Sequence, residues 1–195
     1  MDIVFATRNA NKLHEIRNYF QGTKFNILSL ETLAIKHCVL EDGVTFEENA
    51  IKKAQEISNI CEHVVLSDDS GLEIEALGGA PGVNSAYFMG KDTPYAIRNA
   101  RILEMMAHIP EDKRQARFVC VIAIAAPFKN VITVRGELNG KIAAKTSGKN
   151  GFGYDPIFFV PEYGVTSSQL SLSEKNTISH RGKALALAKQ ILEEI

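Results

Sequence analysis

Two adjacent carboxylates, Asp68 and Asp69, follow the apolar run 64–66 in the stretch SDDSG. Neighbouring carboxylates repel and raise one another's pKa, so the pair calls for a compensating partner. Mg²⁺ is such a partner, because it binds one or two carboxylates together with water and substrate phosphates. Glu41 and Asp42, in a polar turn, form a second acidic pair. The alternative is a loop of Asx turns with Asp68 as a cap, and the pattern alone leaves both interpretations open.

The segment TRNANK lies between a predicted strand and a predicted amphipathic helix. A helix start presents unpaired N–H groups and the positive end of the helix dipole, which suits a phosphate. The glycines and the Gly-Lys-Ser/Thr ending of a Walker loop are absent. The alternative is an N-capping loop with a solvated lysine. The residues of this segment are Thr7, Arg8, Asn9, Ala10, Asn11 and Lys12.

Two further clusters lie in the C-terminal part of the sequence. The glycines of GFGYDP (151–156) let the backbone approach a ligand, and Phe152 offers a stacking face; the alternative is an aromatic turn that closes a hairpin. EKNTISHRGK (174–183) carries basic groups that suit a polyphosphate, with Arg181 able to bind it through two N–H groups. The alternative is Ser179 as a helix cap with a solvated basic face. Taken together, the four clusters fit a nucleoside triphosphate with Mg²⁺.

Alternating strands and helices must position these clusters. The β-α-β opening predicts a mixed sheet flanked by helices, in the α/β class. The predicted strands are 2–7, 25–30, 64–67, 72–75, and a pair at 118–126 and 131–137. The predicted helices begin at about Asn11, cover 46–61, run from Pro94 to about Ile109, and begin again at about His180. On helix 46–61, Ala50, Ala54 and Ile57 are expected to face inward and Lys52 and Lys53 outward.

Size and composition set the broad class. The 195 residues, 45% of them hydrophobic, predict one domain covering 1–195. A net charge of −1 supplies no field for nucleic acid or an anionic membrane, so neither is an expected partner. The longest apolar run, 119–127, is too short to span a bilayer, and the N-terminus lacks the features of a signal peptide. Three cysteines without metal-ligand spacing fit reduced thiols and a cytoplasmic protein.

The motifs carry a resemblance to a known family. SDDSGLEIEALGGAPGVNSAYF, GFGYDPIFFVPE, EKNTISHRGKAL and TRNANK resemble the corresponding blocks of the non-standard purine NTP pyrophosphatases, the inosine/xanthosine triphosphate pyrophosphatase family. The blocks recur in the family's order from Ile3 to the last helix. The resemblance implies Mg²⁺-dependent hydrolysis of ITP, dITP and XTP to the monophosphate and pyrophosphate by a homodimer. It also implies an elongated mixed sheet with two lobes and a central nucleotide-binding cleft.

The resemblance also assigns residues to roles. Asp69 matches the proton acceptor and a metal ligand, Glu41 matches a second metal ligand, and Asp68 is a further candidate ligand. The positions that match substrate-binding residues are Thr7, Arg8, Asn9, Ala10, Asn11, Lys12, Ser70, Phe152, Gly153, Tyr154, Asp155, Lys175, His180 and Arg181. At Arg8 the family usually has a small or amide residue. Arg8 either adds a phosphate contact or points to solvent, and we expect solvent.

A mechanism follows as a hypothesis. Asp69, or a water that it orients with the metal, starts the attack on the α-phosphorus; with an ordinary pKa near 4 the carboxylate would be a weak base, so the metal should contribute more. Lys12, Lys175 and Arg181 neutralise phosphate charge. Donors near O6 of the purine, for which His180, Arg181 and backbone N–H groups are the candidates, would be left unpaired by adenine at a cost of about 1–3 kcal/mol each.

Two other functions compete with this hypothesis. A Maf-type pyrophosphatase shares the general architecture and cleaves modified or pyrimidine triphosphates, but the SHR and FGYDP blocks argue against it. A catalytically silent purine nucleotide sensor is the second, although it would not need the carboxylates. A panel of substrates distinguishes all three.

Overall fold

The computed structural model describes residues 1–127 and 129–195. Within these residues the chain forms one seven-stranded sheet and five α-helices. The strands are β1 (Asp2–Phe5), β2 (Asn26–Ser29), β3 (Val64–Ile74), β4 (Gln115–Ala125), β5 (Ile132–Ile142), β6 (Phe158–Val160) and β7 (Val165–Thr166). The helices are α1 (Ala10–Phe20), α2 (Phe46–Ser58), α3 (Tyr95–Met105), α4 (Leu172–Ile178) and α5 (His180–Glu193).

The sheet is mixed, with the strand order β2-β1-β3-β4-β5-β6-β7. β1 is parallel to both β2 and β3, and α1 connects β1 with β2. β6 is antiparallel to β5 and to β7. The α/β class and the mixed sheet with flanking helices are therefore confirmed. No helix within the described residues is long and apolar enough to cross a membrane.

The chain divides into two compact units, which we call the first and the second unit. The first unit comprises Met1–Asp69, Cys120–Gly136 and Arg181–Ile195. Its core is formed by β1, α1, α5 and the neighbouring parts of β3 and β4, with Ile3, Phe5, Ile16, Phe20, Leu66, Ile122, Leu185 and Leu192 among its buried residues.

The second unit comprises Ser70–Val119 and Glu137–His180. Its core contains Leu72, Ile74, Ile102, Met106, Phe118, Ile142, Ile157, Phe158 and Leu170. These residues come from β3, from α3 and the residue after it, from β4 and β5, and from the segment 157–170, so α3 packs its apolar stripe on this part of the strands.

The structure corrects the predicted elements in four places. The strands expected at 64–67 and 72–75 form one strand of 11 residues, Val64–Ile74, so Asp68 and Asp69 lie inside a strand and not at its end. The helix expected to reach Ile109 ends at Met105. Arg114 binds the carbonyl oxygens of Met106 and Ile109 at 2.7 and 2.9 Å, which favours a turn there.

The third and fourth corrections concern the C-terminal part. β6 and β7 were not predicted, because strands of three and two residues are too short to show periodicity. The basic segment expected to enter one final helix is divided between α4 and α5 by Ser179. Ser179 has an extended ψ of 158°, which interrupts the helical path. The pairing of β4 with β5 and the start of the last helix at His180 are as predicted, but β5 continues to Ile142, past the predicted end at 137.

Candidate active site

Asp68 is a buried carboxylate of the first unit that two cations bind. Lys12 Nζ donates to Oδ1 at 3.1 Å, and Arg181 donates to Oδ2 through Nε at 3.2 Å and Nη2 at 3.1 Å. Burial alone would raise the pKa of Asp68, but Lys12 and Arg181 hold that pKa well below its ordinary value. Asp68 is therefore ionised at neutral pH and joins two basic groups from distant parts of the chain.

Glu15 completes the charge balance around Arg181. Its carboxylate accepts from Arg181 Nη1 at 2.5 Å, and both side chains are buried. Burial would lower the pKa of Arg181, but Glu15 and Asp68 raise it above its ordinary value, so the guanidinium remains charged. A buried charge of this kind is tolerated only when it is paired and hydrogen-bonded.

Asp69 and Glu41 converge on a third cation, Lys53. Lys53 Nζ lies 2.6 Å from Glu41 Oε2 and 3.7 Å from Asp69 Oδ1. Asn49 Nδ2 donates to the other oxygen of Asp69 at 3.1 Å. Burial raises the pKa of Asp69 to about 6, even though Lys53 and Lys12 act in the opposite direction. The sequence analysis expected a pKa near 4 for this carboxylate, so Asp69 is a stronger base than expected.

The residues present fit a hard divalent cation. Lys53 Nζ occupies a point that both Glu41 and Asp69 face, so two carboxylates already share one positive charge. Within the described residues no group of three or more His, Cys, Asp or Glu side chains is arranged to hold a metal. Mg²⁺ does not require such a group, because it keeps several waters and takes further oxygens from substrate phosphates.

The loop before α1 both caps the helix and points its lysine inward. Asn9 Oδ1 accepts from the backbone N–H groups of Asn11 and Lys12 at 3.0 and 3.2 Å, and Thr7 Oγ1 accepts from Asn9 N at 3.2 Å. The capping interpretation is confirmed for Asn9. Lys12, however, is bound to Asp68, and its side chain is only 15% exposed. Ala10 is the first residue of α1 and is exposed.

Arg8 has a different position from the one expected. It is exposed, but its guanidinium does not simply point to solvent. Nη2 lies 3.3, 2.9 and 3.0 Å from the carbonyl oxygens of Ile35, Lys36 and His37. His37 is held in turn by Glu56 at 2.6 Å. Arg8 therefore anchors the segment that leads to Glu41.

A second cluster, in the second unit, is built around Asp155. Asp155 Oδ2 accepts from the backbone N–H of Phe152 at 2.8 Å and from Lys175 Nζ at 2.6 Å. Ser167 Oγ donates to Asp155 Oδ1 at 2.9 Å. The ammonium group of Lys175 also lies 4.9 Å from the centroid of the Phe152 ring, within the range of a cation–π contact. The predicted aromatic segment and the predicted lysine are thus brought together.

The remaining residues of this segment fix its backbone. Gly153 has a φ of +68°, which favours glycine, and its carbonyl accepts from Asn99 Nδ2 at 3.1 Å. Tyr154 is buried and donates its hydroxyl to the Ser85 carbonyl at 2.8 Å. The hairpin interpretation is confirmed, because this segment lies in the connection between the antiparallel strands β5 and β6, and that connection ends in the short helical turn Asp155–Ile157.

Two further predicted residues belong to the second unit. Ser70 follows Asp69 directly within β3. His180 is the first residue of α5 and stacks on Phe118, with the ring centroids 4.7 Å apart and an interplanar angle of 18°. The structure thus gathers Lys12, Glu41, Asp68, Asp69 and Arg181 in the first unit. It gathers Phe152, Gly153, Tyr154, Asp155 and Lys175 in the second.

Sequence reasoning missed four polar residues of the two clusters: Glu15, Asn49, Lys53 and Ser167. Lys53 was expected to face outward, and this is wrong, because it is buried with Asn49 on the inner face of α2. The buried positions of α2 are Phe46, Asn49, Ala50, Lys53, Ala54 and Ile57, which follow one helical stripe. The sequence does hold a signal for Asn49 and Lys53, because their spacing places them on the buried stripe of α2. Ser167 had no comparable signal in the sequence.

Comparisons with known proteins agree with the motifs. The profile of the Ham1 family matches residues 3–191. A protein of Exiguobacterium sibiricum named dITP/XTP pyrophosphatase is 47% identical over 185 residues, which cover 95% of this chain and 93% of the relative. A protein of the same name from Desulforamulus reducens is 44% identical, over 100% of this chain and 97% of the relative. A solved Ham1 protein from Coxiella burnetii has a TM-score of 0.89 and 38% identity, over 100% of each chain.

Proposed function

Because the chain belongs to the Ham1 family, we propose that it is a nucleoside triphosphate pyrophosphatase that acts on non-standard purine nucleotides. Its products from dITP, ITP and XTP are the monophosphate and pyrophosphate. The observation that carries the proposal is the arrangement in the first unit, where Glu41 and Asp69 face one cation position beside Lys12 and Arg181. Acidic and basic groups alternate there, as the binding of a charged triphosphate with a divalent cation requires.

Asp69 is the proposed proton acceptor. Its pKa of about 6 makes it ionised at neutral pH and basic enough to take a proton from water. Asn49 holds one of its oxygens and so fixes the direction of the other. The water attacks the α-phosphorus, and pyrophosphate leaves.

Lys12 and Arg181 are the proposed phosphate-binding cations of the first unit. Asp68 is bound to both of them, so we propose that it positions them and is not itself a metal ligand. Lys12 also lies in the capped first turn of α1, where the helix dipole favours a negative charge. Lys53 balances Glu41 and Asp69 when no other cation is present.

Glu41 and Asp69 are the side chains that would hold Mg²⁺. A cation bound there supplies positive charge to the phosphate oxygens and lowers the pKa of water. The residues of the chain bind the phosphates, orient the water and accept its proton.

The Asp155 cluster has the chemistry to bind a purine. Lys175 lies over one face of the Phe152 ring, and an aromatic ring of this kind stacks well on a planar base. We therefore propose that Lys175 supports the base-binding side chain more than the phosphates. His180, stacked on Phe118, is a proposed donor to O6 of a 6-oxo purine. Adenine would leave such a donor unpaired.

Assembly and compartment belong to the same proposal. A homodimer is proposed from the family resemblance, and Tyr87, Met89 and Ile97 of the second unit are large hydrophobic residues that are 44–52% exposed. Sedimentation equilibrium that gives the mass of a monomer at micromolar concentration would contradict the proposed homodimer.

The cytoplasm is the proposed compartment. Cys38, Cys61 and Cys120 are free thiols, as is usual for proteins of a reducing compartment.

The experiment that tests the proposal is a panel of triphosphates with every product resolved. The purified protein receives dITP, XTP, dGTP, ATP and dUTP separately, with Mg²⁺. We expect monophosphate and pyrophosphate from dITP and XTP, and little turnover of ATP or dGTP. Preference for dUTP would identify a Maf-type activity, release of orthophosphate would identify a γ-phosphatase, and tight binding of dITP without turnover would identify a sensor.

A further inference from the structure

Asp155 is a buried carboxylate whose two oxygens have different partners. It is 2% exposed, so its charge must be balanced by donors of the protein. Oδ2 accepts from Phe152 N and Lys175 Nζ, which are the two groups proposed to form the purine-binding cluster. Oδ1 accepts from Ser167 Oγ at 2.9 Å. The hydroxyl group therefore binds the oxygen that the other two groups do not use.

The Oδ2 side of the carboxylate lies beside Gly151. Gly151 has a φ of +72°, and a Cβ atom at that position would overlap Asp155 Oδ2, so the carboxylate occupies the space that a side chain at position 151 would fill. On the other side lies Ser167, which is 1% exposed, so bulk water does not replace its hydroxyl group there.

We propose that Ser167 is a positioning residue for purine binding, and that it acts through Asp155 on Phe152 and Lys175. The inference rests on the proposed function and extends it to a residue outside the recognised motifs. Without the hydroxyl group, Oδ1 is a buried acceptor that has lost its donor, which favours a rotated carboxylate. A rotated carboxylate cannot keep both the Phe152 N–H and the Lys175 ammonium at hydrogen-bond distance. The stacking ring and the cation above it then lose their common anchor.

The chain supplies a matched control in the next residue. Ser168 is also fully buried, and its hydroxyl binds the Ser147 carbonyl and Thr166 Oγ1 but not Asp155. Ser167→Ala and Ser168→Ala therefore remove equally buried hydroxyl groups one position apart. A purely structural role predicts that both variants lose stability and that neither changes substrate binding selectively.

The experiment measures kcat and KM for ITP and the affinity for inorganic tripolyphosphate, which has no base, by calorimetry. For Ser167→Ala we expect KM for ITP to rise about ten- to a hundredfold, as the loss of one hydrogen bond to a charged group predicts, with kcat and tripolyphosphate affinity within about twofold of wild type. Ser168→Ala should keep the wild-type KM. If Ser167→Ala does not fold, Ser167→Cys has a similar volume and only a weak donor, and it carries the same expectation with a smaller increase.

An unchanged KM for ITP in Ser167→Ala would overturn the inference, and so would an equal loss of affinity for tripolyphosphate. The same KM increase in Ser168→Ala would also overturn it, because it would show a general packing effect. These outcomes differ from failure of the proposed function, which would appear as a wild-type protein that does not hydrolyse ITP.

Discussion

Asp69→Asn separates the stability of the proposed active site from its chemistry, because it removes a buried charge and nearly keeps the shape of the side chain. Asp69 is 7% exposed, and burial raises its pKa from an ordinary 3.8 to about 6. Each pKa unit corresponds to about 1.4 kcal/mol of preference for the protonated form in the folded state. The shift of roughly two units therefore means that the ionised carboxylate destabilises the folded protein by about 3 kcal/mol.

The pH range of this effect follows from the two pKa values. Below about pH 4 the carboxyl group is protonated in the folded and the unfolded chain, and it contributes nothing. Between about pH 4 and pH 6 the unfolded chain releases its proton while the folded protein keeps it, so stability falls as the pH rises. Above about pH 6 both states are ionised and the full destabilisation is present. Asparagine has no such proton, so the variant does not lose this stability.

Urea unfolding of the metal-free protein at pH 4 and pH 8 measures the effect. We expect the Asp69→Asn variant to be more stable than wild type by about 3 kcal/mol at pH 8 and by less than about 1 kcal/mol at pH 4. Asp42→Asn is the matched control, because Asp42 is an exposed carboxylate of the same unit, paired with Lys52. It should give no gain at pH 8. Added Mg²⁺ should stabilise wild type more than the Asp69→Asn variant, by mass action.

Turnover should move in the opposite direction to stability. Loss of the proton acceptor is expected to lower kcat by about 10²–10⁴-fold. A gain in stability of the same size at both pH values, or a loss at pH 8, would refute the assignment of a raised pKa to Asp69. Near-normal turnover would remove Asp69 from the mechanism.

Two other substitutions test the surroundings of the same carboxylate. Lys53→Met removes the cation shared by Glu41 and Asp69, so the pKa of Asp69 should rise further and the acid limb of the kcat/KM–pH profile should move to higher pH; an unmoved limb would contradict this. Arg8→Met removes the contacts with the carbonyls of residues 35–37, so amide exchange in 35–42 should accelerate and half-maximal activity should need about tenfold more Mg²⁺. A rise in KM for the nucleotide with unchanged exchange would instead indicate that Arg8 binds phosphate.

The sequence singled out charged residues that the structure brings together, but it did not predict their local structure. The repulsion between Asp68 and Asp69 argued for a polar strand end, but both lie inside the 11-residue β3. Their burial is possible because Lys12 and Arg181, which lie 56 and 113 positions from Asp68 along the chain, supply the compensating charge. Local patterns predict the apolar first residues of the strand. They cannot show partners at such separations, so they do not predict that the strand continues through the two carboxylates.

Helix α2 shows a different limit. A lysine was assigned to the outer face by its residue type, while its spacing from Ala50 and Ile57 places it on the inner one. The apolar stripe was read correctly, and the error came from assuming that a charged residue must be exposed. Lys53 is buried because Glu41 and Asp69 pair with it. Spacing was therefore a better guide than polarity at this position.

In the second unit, composition suggested a stacking aromatic residue at Phe152, and nothing in the sequence suggested its support. Ser167 and Asp155 are 12 positions apart and belong to different short turns, so their hydrogen bond depends on how β6 and β7 pair. Strands of two and three residues leave no periodic signal. The position of Ser167 could only come from the structure.

Hydrolysis of ITP in ¹⁸O-enriched water with Mg²⁺ tests the central claim most directly. Attack of water on the α-phosphorus, promoted by Asp69, predicts that the label enters the monophosphate and that pyrophosphate remains unlabelled. Label in pyrophosphate would place the attack on the β-phosphorus, and labelled orthophosphate would place it on the γ-phosphorus. Either result would contradict the roles proposed for Glu41, Asp69 and the cations around them.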